Sequence, residues 1–165
     1  MQIRLFIISL LVLCAFSGCG KDKRPADMPA LYPCEITITQ GGQSLAGALV
    51  TLKPTGKWIM DGKTASNGTA NIRTHGKFAG VPAGTYTVCV SKIEISPSSL
   101  VEPSKDASYE EWQDYHAKAN AEKRPKYQLV NPEYGTDTST LSITVSKGKT
   151  RQTFDVGDAV KIEEK

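Results

Sequence analysis

Histidine is scarce in this sequence of 165 residues, and its scarcity limits the chemistry available to the chain. Only His75 and His116 are present, and neither has metal-donor neighbours at ligand spacing. A zinc or iron site needs three or four donors, so we expect no metal and no cofactor. The chain also lacks a nucleophile elbow, a glycine-rich phosphate loop and a Cys-x-x-Cys pair. We therefore name no catalytic residue and expect a protein that is not an enzyme.

An excess of charge of one sign is absent as well. The chain has 20 Lys and Arg residues and 17 Asp and Glu residues, so the composition predicts no nucleic-acid partner.

The hydrophobic run at residues 5–16 is broken only by Ser9, and it is too short to cross a bilayer comfortably. With Arg4 in front of it, this run has the organisation of a signal peptide. The remaining length suits one domain with a single core.

The hydrophobic run ends in Phe16-Ser17-Gly18-Cys19, which resembles the lipobox of bacterial lipoproteins. In that pattern small residues precede a cysteine whose thiol is joined to diacylglycerol, although the family prefers Leu where Phe16 stands. The resemblance implies a lipoprotein signal peptide at residues 1–18 and a mature chain anchored in the membrane by acyl chains on Cys19. The alternative is an ordinary secretory signal or a core segment.

The residue after the cysteine bears on the location of the protein. Gly20 follows Cys19, where an Asp would favour retention in the inner membrane. The resemblance thus implies a cell-envelope lipoprotein in the outer membrane or at the cell surface.

A change of pattern divides the mature chain. Residues 19–33 are rich in charge and proline and show no apolar period, which predicts a mobile tether. Residue 34 begins a series of short alternating strands, the clearest at 81–90, where Tyr86, Val88 and Val90 alternate with two threonines and a cysteine. Seven or eight strands at roughly ten-residue spacing predict an all-β, antiparallel sandwich over residues 34–157. Residues 158–165 are predicted to be a frayed tail.

One segment, residues 97–125, interrupts the strand pattern. Ser108 and Glu111 fit a capping box at the start of a helix, and Pro125 stops it. Side chains recur at helical spacing at Tyr109, Trp112, His116 and Ala119. We predict one α-helix near residues 108–123, inserted between two strands.

Aromatic residues make up only 7% of the chain, and several lie together on this insertion. The candidates for a binding surface are Trp58, Tyr109, Trp112 and Tyr115. Aromatic rings on a platform can stack on sugars. The simpler explanation, which we favour from the sequence, is that Tyr109 and Trp112 pin the helix to the sandwich.

Two cysteines remain once Cys14 leaves with the signal peptide and Cys19 carries lipid. Cys34 and Cys89 then share a compartment that permits disulfides. A bridge would close a loop of about 55 residues and stabilise the fold by roughly 4 kcal/mol in the chain-entropy model. Against it, Cys34 lies in phase with the apolar residues of its strand whereas Cys89 does not, and paired residues share a face. The sequence leaves both a disulfide and two unpaired thiols open.

Four stretches in order resemble carboxypeptidase regulatory-like domains, which are small transthyretin-like (prealbumin-like) sandwiches. They are GGQSLAGALV at 41–50, TASNG at 64–68, PAGTYTV at 82–88, and the group formed by NPEY at 131–134, TSTL at 138–141 and FDV at 154–156. The last group resembles a bacterial surface-lipoprotein version of the domain. Ala65 and Ser66 stand where the family often has acidic residues, which argues against a cation site at that turn.

The resemblance covers residues 34–157 and implies a transthyretin-like or Ig-like sandwich. It implies an envelope-anchored lipoprotein whose sandwich is a non-catalytic binding or structural module for a glycan, a peptide or an envelope protein. The alternative is an enzyme of the same fold with a site of an unrecognised kind. The membrane, reached through the N-terminal lipid, is the expected partner, and the sequence fixes no oligomeric state.

Overall fold

The computed structural model describes residues 24–54 and 56–164. The predicted signal peptide and Cys19 lie outside the described residues. The described chain is mostly β, with 39% strand and 11% helix, and forms an all-β sandwich with one α-helix. The predicted fold class is therefore confirmed.

Fifteen short strands and two helical segments are present in the described chain. In chain order the strands are β1 (Leu31–Tyr32), β2 (Cys34–Gln40), β3 (Gln43–Ser44), β4 (Leu49–Lys53), β5 (Met60–Lys63), β6 (Thr69–Asn71), β7 (Arg73–Thr74), β8 (Phe78–Ala79), β9 (Val81–Pro82), β10 (Gly84–Ser91), β11 (Ile93–Ile95), β12 (Lys126–Gln128), β13 (Ser142–Val145), β14 (Thr150–Asp155) and β15 (Ile162–Glu163). The α-helix α1 (Tyr109–Ala121) lies between β11 and β12, and a 3-10 helix (Pro132–Tyr134) follows β12.

Two of the sheets form the layers of the sandwich. The first has the order β13-β10-β4-β5-β7-β8, with antiparallel neighbours throughout. The second has the order β14-β2-β3, and β6 also pairs with β2. One pair departs from the antiparallel prediction, because β14 runs parallel to β2. The turn at residues 146–149 connects β13 of the first sheet to β14 of the second. β14 and β2 begin at the same end of the sandwich, so they run in the same direction.

The core lies between these two layers and consists of alternate residues of each strand. Ile36 and Ile38 of β2 face Val50 and Leu52 of β4 across it, and all four side chains are fully buried. Val88 of β10 is likewise fully buried. This two-residue period is the reason that the strand pattern was readable in the sequence.

Residues 69–74 divide between the two sheets. β6 pairs with β2 in the second sheet, whereas β7 pairs with β5 in the first. The chain therefore changes sheets between Asn71 and Arg73. The turn before β6 uses a positive φ at Gly68 alone, at 76°.

The two segments predicted to be unstructured, the tether and the tail, are both partly structured. Met28 is buried and β1 pairs with β9, so the expected tether joins the sandwich before residue 33. The expected tail also forms a strand, since β15 pairs with β12. Lys161 Nζ lies 3.0 Å from Glu94 Oε1 and 4.5 Å from the centre of the Tyr127 ring. The boundaries predicted from composition were wrong at these two places because strand pairing with distant residues orders both segments.

Strand register defines two ends of the sandwich. Lys53 at the end of β4 lies opposite Thr87 near the start of β10, so residues 56–59 lie where β10 begins. The turns at 75–77 and 146–149 lie at that same end, since they follow Thr74 of β7 and Val145 of β13. We call it the tether end, because β1 pairs there with β9. The opposite end, where β10 finishes and the insertion leaves, we call the insertion end.

Candidate functional site: the helical insertion

The insertion is the extended loop of a β-hairpin at the insertion end. Ile93 pairs with Gln128 and Ile95 with Lys126, and the amide of Ser96 then donates to the carbonyl of Pro125 at 2.9 Å. The chain between these two residues leaves and returns at one point. It is therefore an addition to the sandwich, as the sequence predicted.

The start of α1 is fixed by the predicted capping box. The Glu111 amide donates to Ser108 Oγ at 3.3 Å, and the Ser108 amide donates to Glu111 Oε2 at 2.7 Å. Hydrogen bonds that the Ser108 amide and then the Ser108 hydroxyl donate to the Glu111 carboxylate lower its pKa. The box satisfies two donors that a helix start otherwise leaves to water.

The end of α1 is fixed by Glu122, whose role the sequence did not reveal. Its carboxylate accepts hydrogen bonds from the Ser98 hydroxyl at 2.6 Å, the Ser99 hydroxyl at 2.7 Å and the Ser99 amide at 2.8 Å. These donors, led by Ser98, lower the pKa of Glu122 to about 2. We call this set the Glu122 clamp. It ties the end of the helix to the segment before it, 23 or 24 residues back, a separation that carries no local sequence signal.

Three aromatic rings form a cluster on the helix. The Trp112 ring centre lies 5.9 Å from that of Tyr115 and 5.7 Å from that of His116, and Tyr115 and His116 are 5.6 Å apart. Residues three and four apart on a helix share a face, which explains the two contacts of Trp112. The sequence placed Trp112 and Tyr115 among the candidates but omitted His116, although it belonged to the helical spacing.

These side chains do not pin the helix to the sandwich. No residue of α1 is buried, Trp112 and Tyr115 are half-buried, and Tyr109 is 77% exposed. The expected burial of Tyr109 was therefore wrong, and Trp112 is buried only in part. The Tyr109 ring stands apart from the cluster, and its hydroxyl accepts a hydrogen bond from Gln113.

An open groove of about 330 Å³ lies between α1 and the segment that precedes it. Leu100, Val101 and Pro103 supply its apolar side. Tyr115 and three charged side chains of the helix, Glu111, Asp114 and Lys118, supply the other. Lys118 Nζ lies 2.6 Å from Asp114 Oδ2. The groove thus combines an aromatic ring with carboxylates that are open to water.

Comparison with protein-family models finds no match for this chain, and searches of the curated proteins and of the solved structures find none either. The four motif stretches therefore remain resemblances and do not show a family.

Trp58, the fourth aromatic candidate, lies at the tether end, away from the point where the insertion leaves. Its ring centre is 5.3 Å from that of His75, with the planes at 73°, and Lys57 Nζ lies 5.0 Å from the ring centre. The structure therefore does not bring Trp58 together with the helix aromatics. A single binding platform made of all four candidates is not formed.

The disulfide considered for Cys34 and Cys89 is not formed, and both are buried free thiols. Cys34 faces the core from β2, whereas Cys89 lies on the outer face of β10, where its Sγ donates to the Thr136 carbonyl at 3.1 Å. The backbone of the first sheet therefore separates them. Burial raises the pKa of the Cys34 thiol to about 11 and also raises that of Cys89.

Within residues 24–54 and 56–164, no group of three His, Cys, Asp or Glu side chains is placed to hold a metal ion. No helix of that part of the chain is both long and apolar enough to span a bilayer.

Proposed function

We propose that this chain is an envelope-anchored lipoprotein whose β-sandwich is a non-catalytic binding module, with the helical insertion as its recognition element. The observation that carries the proposal is the cluster of Trp112, Tyr115 and His116 on a helix with no buried residue. Aromatic rings normally contribute to a core by being buried, and Trp and Tyr side chains that a core leaves partly exposed are enriched where proteins bind partners. This insertion therefore serves recognition better than it serves folding.

The direction of the pKa shifts supports binding over catalysis. A general acid at neutral pH needs a carboxyl with a raised pKa, and a thiol nucleophile needs a lowered one. Here hydrogen bonds and ion pairs lower the pKa of Glu35, Glu111, Glu122 and Asp155. Burial raises the pKa of both thiols. These shifts suit structural carboxylates and unreactive thiols.

A glycan is the ligand class that the groove beside α1 fits best. Sugar rings present C–H faces that stack on Trp and Tyr, and hydroxyl groups that donate to carboxylates such as Glu111 and Asp114. The groove is open to solvent, which suits a chain of sugars more than an enclosed small molecule. A peptide or an envelope protein is the other class to be tested.

The binding test uses a chain that starts at Gly20 and panels of envelope glycans and peptides. We expect Tyr115→Ala to weaken glycan binding by at least about tenfold, because it removes the ring that lines the groove. Trp112→Ala should have a similar effect, because the Trp112 ring lies against that of Tyr115. Tyr109→Ala is the matched control, since Tyr109 lies on the same helix outside the ring cluster, and it should bind as the parent does. All three variants should melt as the parent does, since α1 has no buried residue.

Two outcomes would contradict the binding proposal. If both cluster variants retain glycan binding while the parent binds, the insertion is not the recognition element. If a substrate panel on intact cells shows turnover that is lost on deletion of the gene, the alternative of an enzyme gains support.

The anchor is tested separately on cells that express the full chain. A fatty-acid probe should label the parent protein, and Cys19→Ser should abolish the label. Persistence of the label in the variant would refute anchoring at Cys19.

A further inference from the structure

The chain is held close to the predicted lipid. Asp27 forms an ion pair with Lys57, Met28 is buried, and β1 pairs with β9, so the sandwich holds the chain from residue 27 onward. Seven residues separate Cys19 from Asp27. Covalent geometry limits that distance to at most about 29 Å. A lipid on Cys19 would therefore keep the tether end near the bilayer, a restraint that the predicted 15-residue mobile tether would not impose.

The tether end is basic. The charged side chains of its loops at 56–59, 75–77 and 146–149 are all lysines, namely Lys57, Lys77, Lys147 and Lys149, and all four are exposed. Among the described residues, Asp27 pairs with Lys57, and Glu35 lies 2.8 Å from Lys149 Nζ, so carboxylates offset part of this charge. Residues 96–125 at the insertion end instead carry six acidic side chains and four basic ones. The lysines of the tether end thus complement the anionic headgroups of a bilayer surface.

The same end also exposes apolar and aromatic surface beside the lysines. Ile59 is 51% exposed and follows Trp58, whose ring is half-buried between His75 and Lys57. Trp is enriched at the level of lipid headgroups, and basic residues beside apolar ones are typical of segments that lie in that interface. Lys57, Trp58 and Ile59 follow this composition in three consecutive positions.

From these observations we infer that the tether end rests on the lipid bilayer, with Lys57, Trp58 and Ile59 at the headgroup level and the insertion leaving from the far end. The inference rests on the proposed lipidation of Cys19, which supplies the restraint. It gives the lipid surface a second contact besides the acyl chains, and it leaves the groove beside α1 open to the aqueous side.

The two tryptophans of the chain allow a direct test, since one lies at each end. The lipidated protein is reconstituted in vesicles of anionic and zwitterionic lipids with brominated acyl chains. Trp112→Phe retains only Trp58, whose fluorescence should shift to the blue and lose at least half its intensity. Trp58→Phe retains only Trp112, which should show neither change. Equal quenching of both residues, or none of Trp58, would overturn the inference.

Two charge-reversal variants, each made in the Trp112→Phe background, test the role of the basic surface. Lys147→Glu should reduce the quenching of Trp58 on anionic vesicles, whereas Lys105→Glu, an exposed lysine of the insertion, should leave it unchanged. Equal effects of the two variants would show that net charge, and not this end of the sandwich, is responsible. Acrylamide quenches Trp fluorescence where it can reach the ring. If Trp58 is protected from acrylamide in envelope extract but fully quenched on pure vesicles, this end binds a protein partner and the inferred lipid contact is overturned.

Failure of the anchor and failure of the orientation give different results. If the fatty-acid probe does not label Cys19, the proposed function and this inference fall together. If Cys19 is labelled and Trp58 remains unquenched on the vesicles, the lipoprotein proposal stands and only the orientation is refuted.

Discussion

At the scale of single residues, short polar side chains fasten the loops of this sandwich to its strands. Thr64 Oγ1 is buried, accepts from the Ala48 amide at 2.8 Å and donates to the Leu45 carbonyl at 2.6 Å. Asp155 accepts from the Thr39 hydroxyl at 2.7 Å and from the Gly42 amide at 2.9 Å. Thr64 satisfies buried backbone groups that would otherwise be unpaired on folding, which is costly. The groups that Asp155 satisfies lie at the surface, where it fixes the turn.

Gly68 is a residue whose replacement should be costly. It has a φ of +76°, and a Cβ there would lie 2.6 Å from the Ile38 carbonyl oxygen. We expect Gly68→Ala to lower the free energy of unfolding by more than about 2 kcal/mol, since conformational cost and backbone clash add. Gly76→Ala is the control, because its φ is +65° and nothing lies within 4 Å. Urea denaturation should show a smaller loss for the control, and equal losses would contradict the role of the clash.

The two thiols give a second prediction at this scale. In a chain that starts at Gly20, Cys34 and Cys89 are the only cysteines. We expect neither to react with a thiol reagent at pH 8 in the folded protein, because both are buried and both have raised pKa values. Both should react after unfolding without reductant. A peptide joining the two cysteines in an unreduced digest would instead establish the disulfide.

At the scale of elements, two sets of hydrogen bonds within the insertion hold it together. The capping box fixes the first turn of α1, and the Glu122 clamp joins the last turn to Ser98 and Ser99. An isolated helix of this length is marginal in water, so these hydrogen bonds matter more here than in a buried helix. The insertion should therefore be able to loosen while the sandwich remains folded.

The clamp predicts how the insertion responds to acid. The pKa of Glu122 is lowered from 4.5 to about 2, so the clamp contributes stability that is complete above about pH 4.5 and is lost as the pH falls towards 2. We expect amide exchange of α1 to rise across that range. Glu122→Gln should raise it already at pH 7, whereas Glu110→Gln, which changes an exposed carboxylate outside the clamp, should not. Exchange that is the same in both variants would rule out the clamp.

At the scale of the whole molecule, long-range pairing joins both ends of the chain to the fold. β1 pairs with β9 at the tether end, and β15 pairs with β12 beside the insertion. The last strand thus belongs to the three-stranded sheet β11-β12-β15, outside the two layers of the sandwich. Its contribution should be confined to that sheet.

Removal of the last strand tests this division. A chain that stops at Asp158 loses β15 and the pair between Lys161 and Glu94. We expect faster amide exchange in β11 and β12 and little change in the melting temperature, because Ile162 is 44% exposed and contributes little to the core. A large drop in melting temperature would show that β15 supports the sandwich itself.

The sequence by itself determined what depends on neighbouring residues. The alternation that gives β10 its buried face spans eight residues, and the capping box spans the four from Ser108 to Glu111. Such patterns are readable because a strand or a helix start is specified within a few positions. They were sufficient for the fold class, the inserted helix and the aromatic candidates on it.

The tertiary structure decided what depends on residues far apart in the chain. Phe154 of β14 pairs in parallel with Ile38 of β2, and residues 69–74 divide between two sheets. The Glu122 clamp, the incomplete burial of Trp112 and the separation of Trp58 from it belong to the same class. Pairing between distant segments depends on how all the strands are arranged in the two sheets, and that arrangement cannot be read from a local pattern.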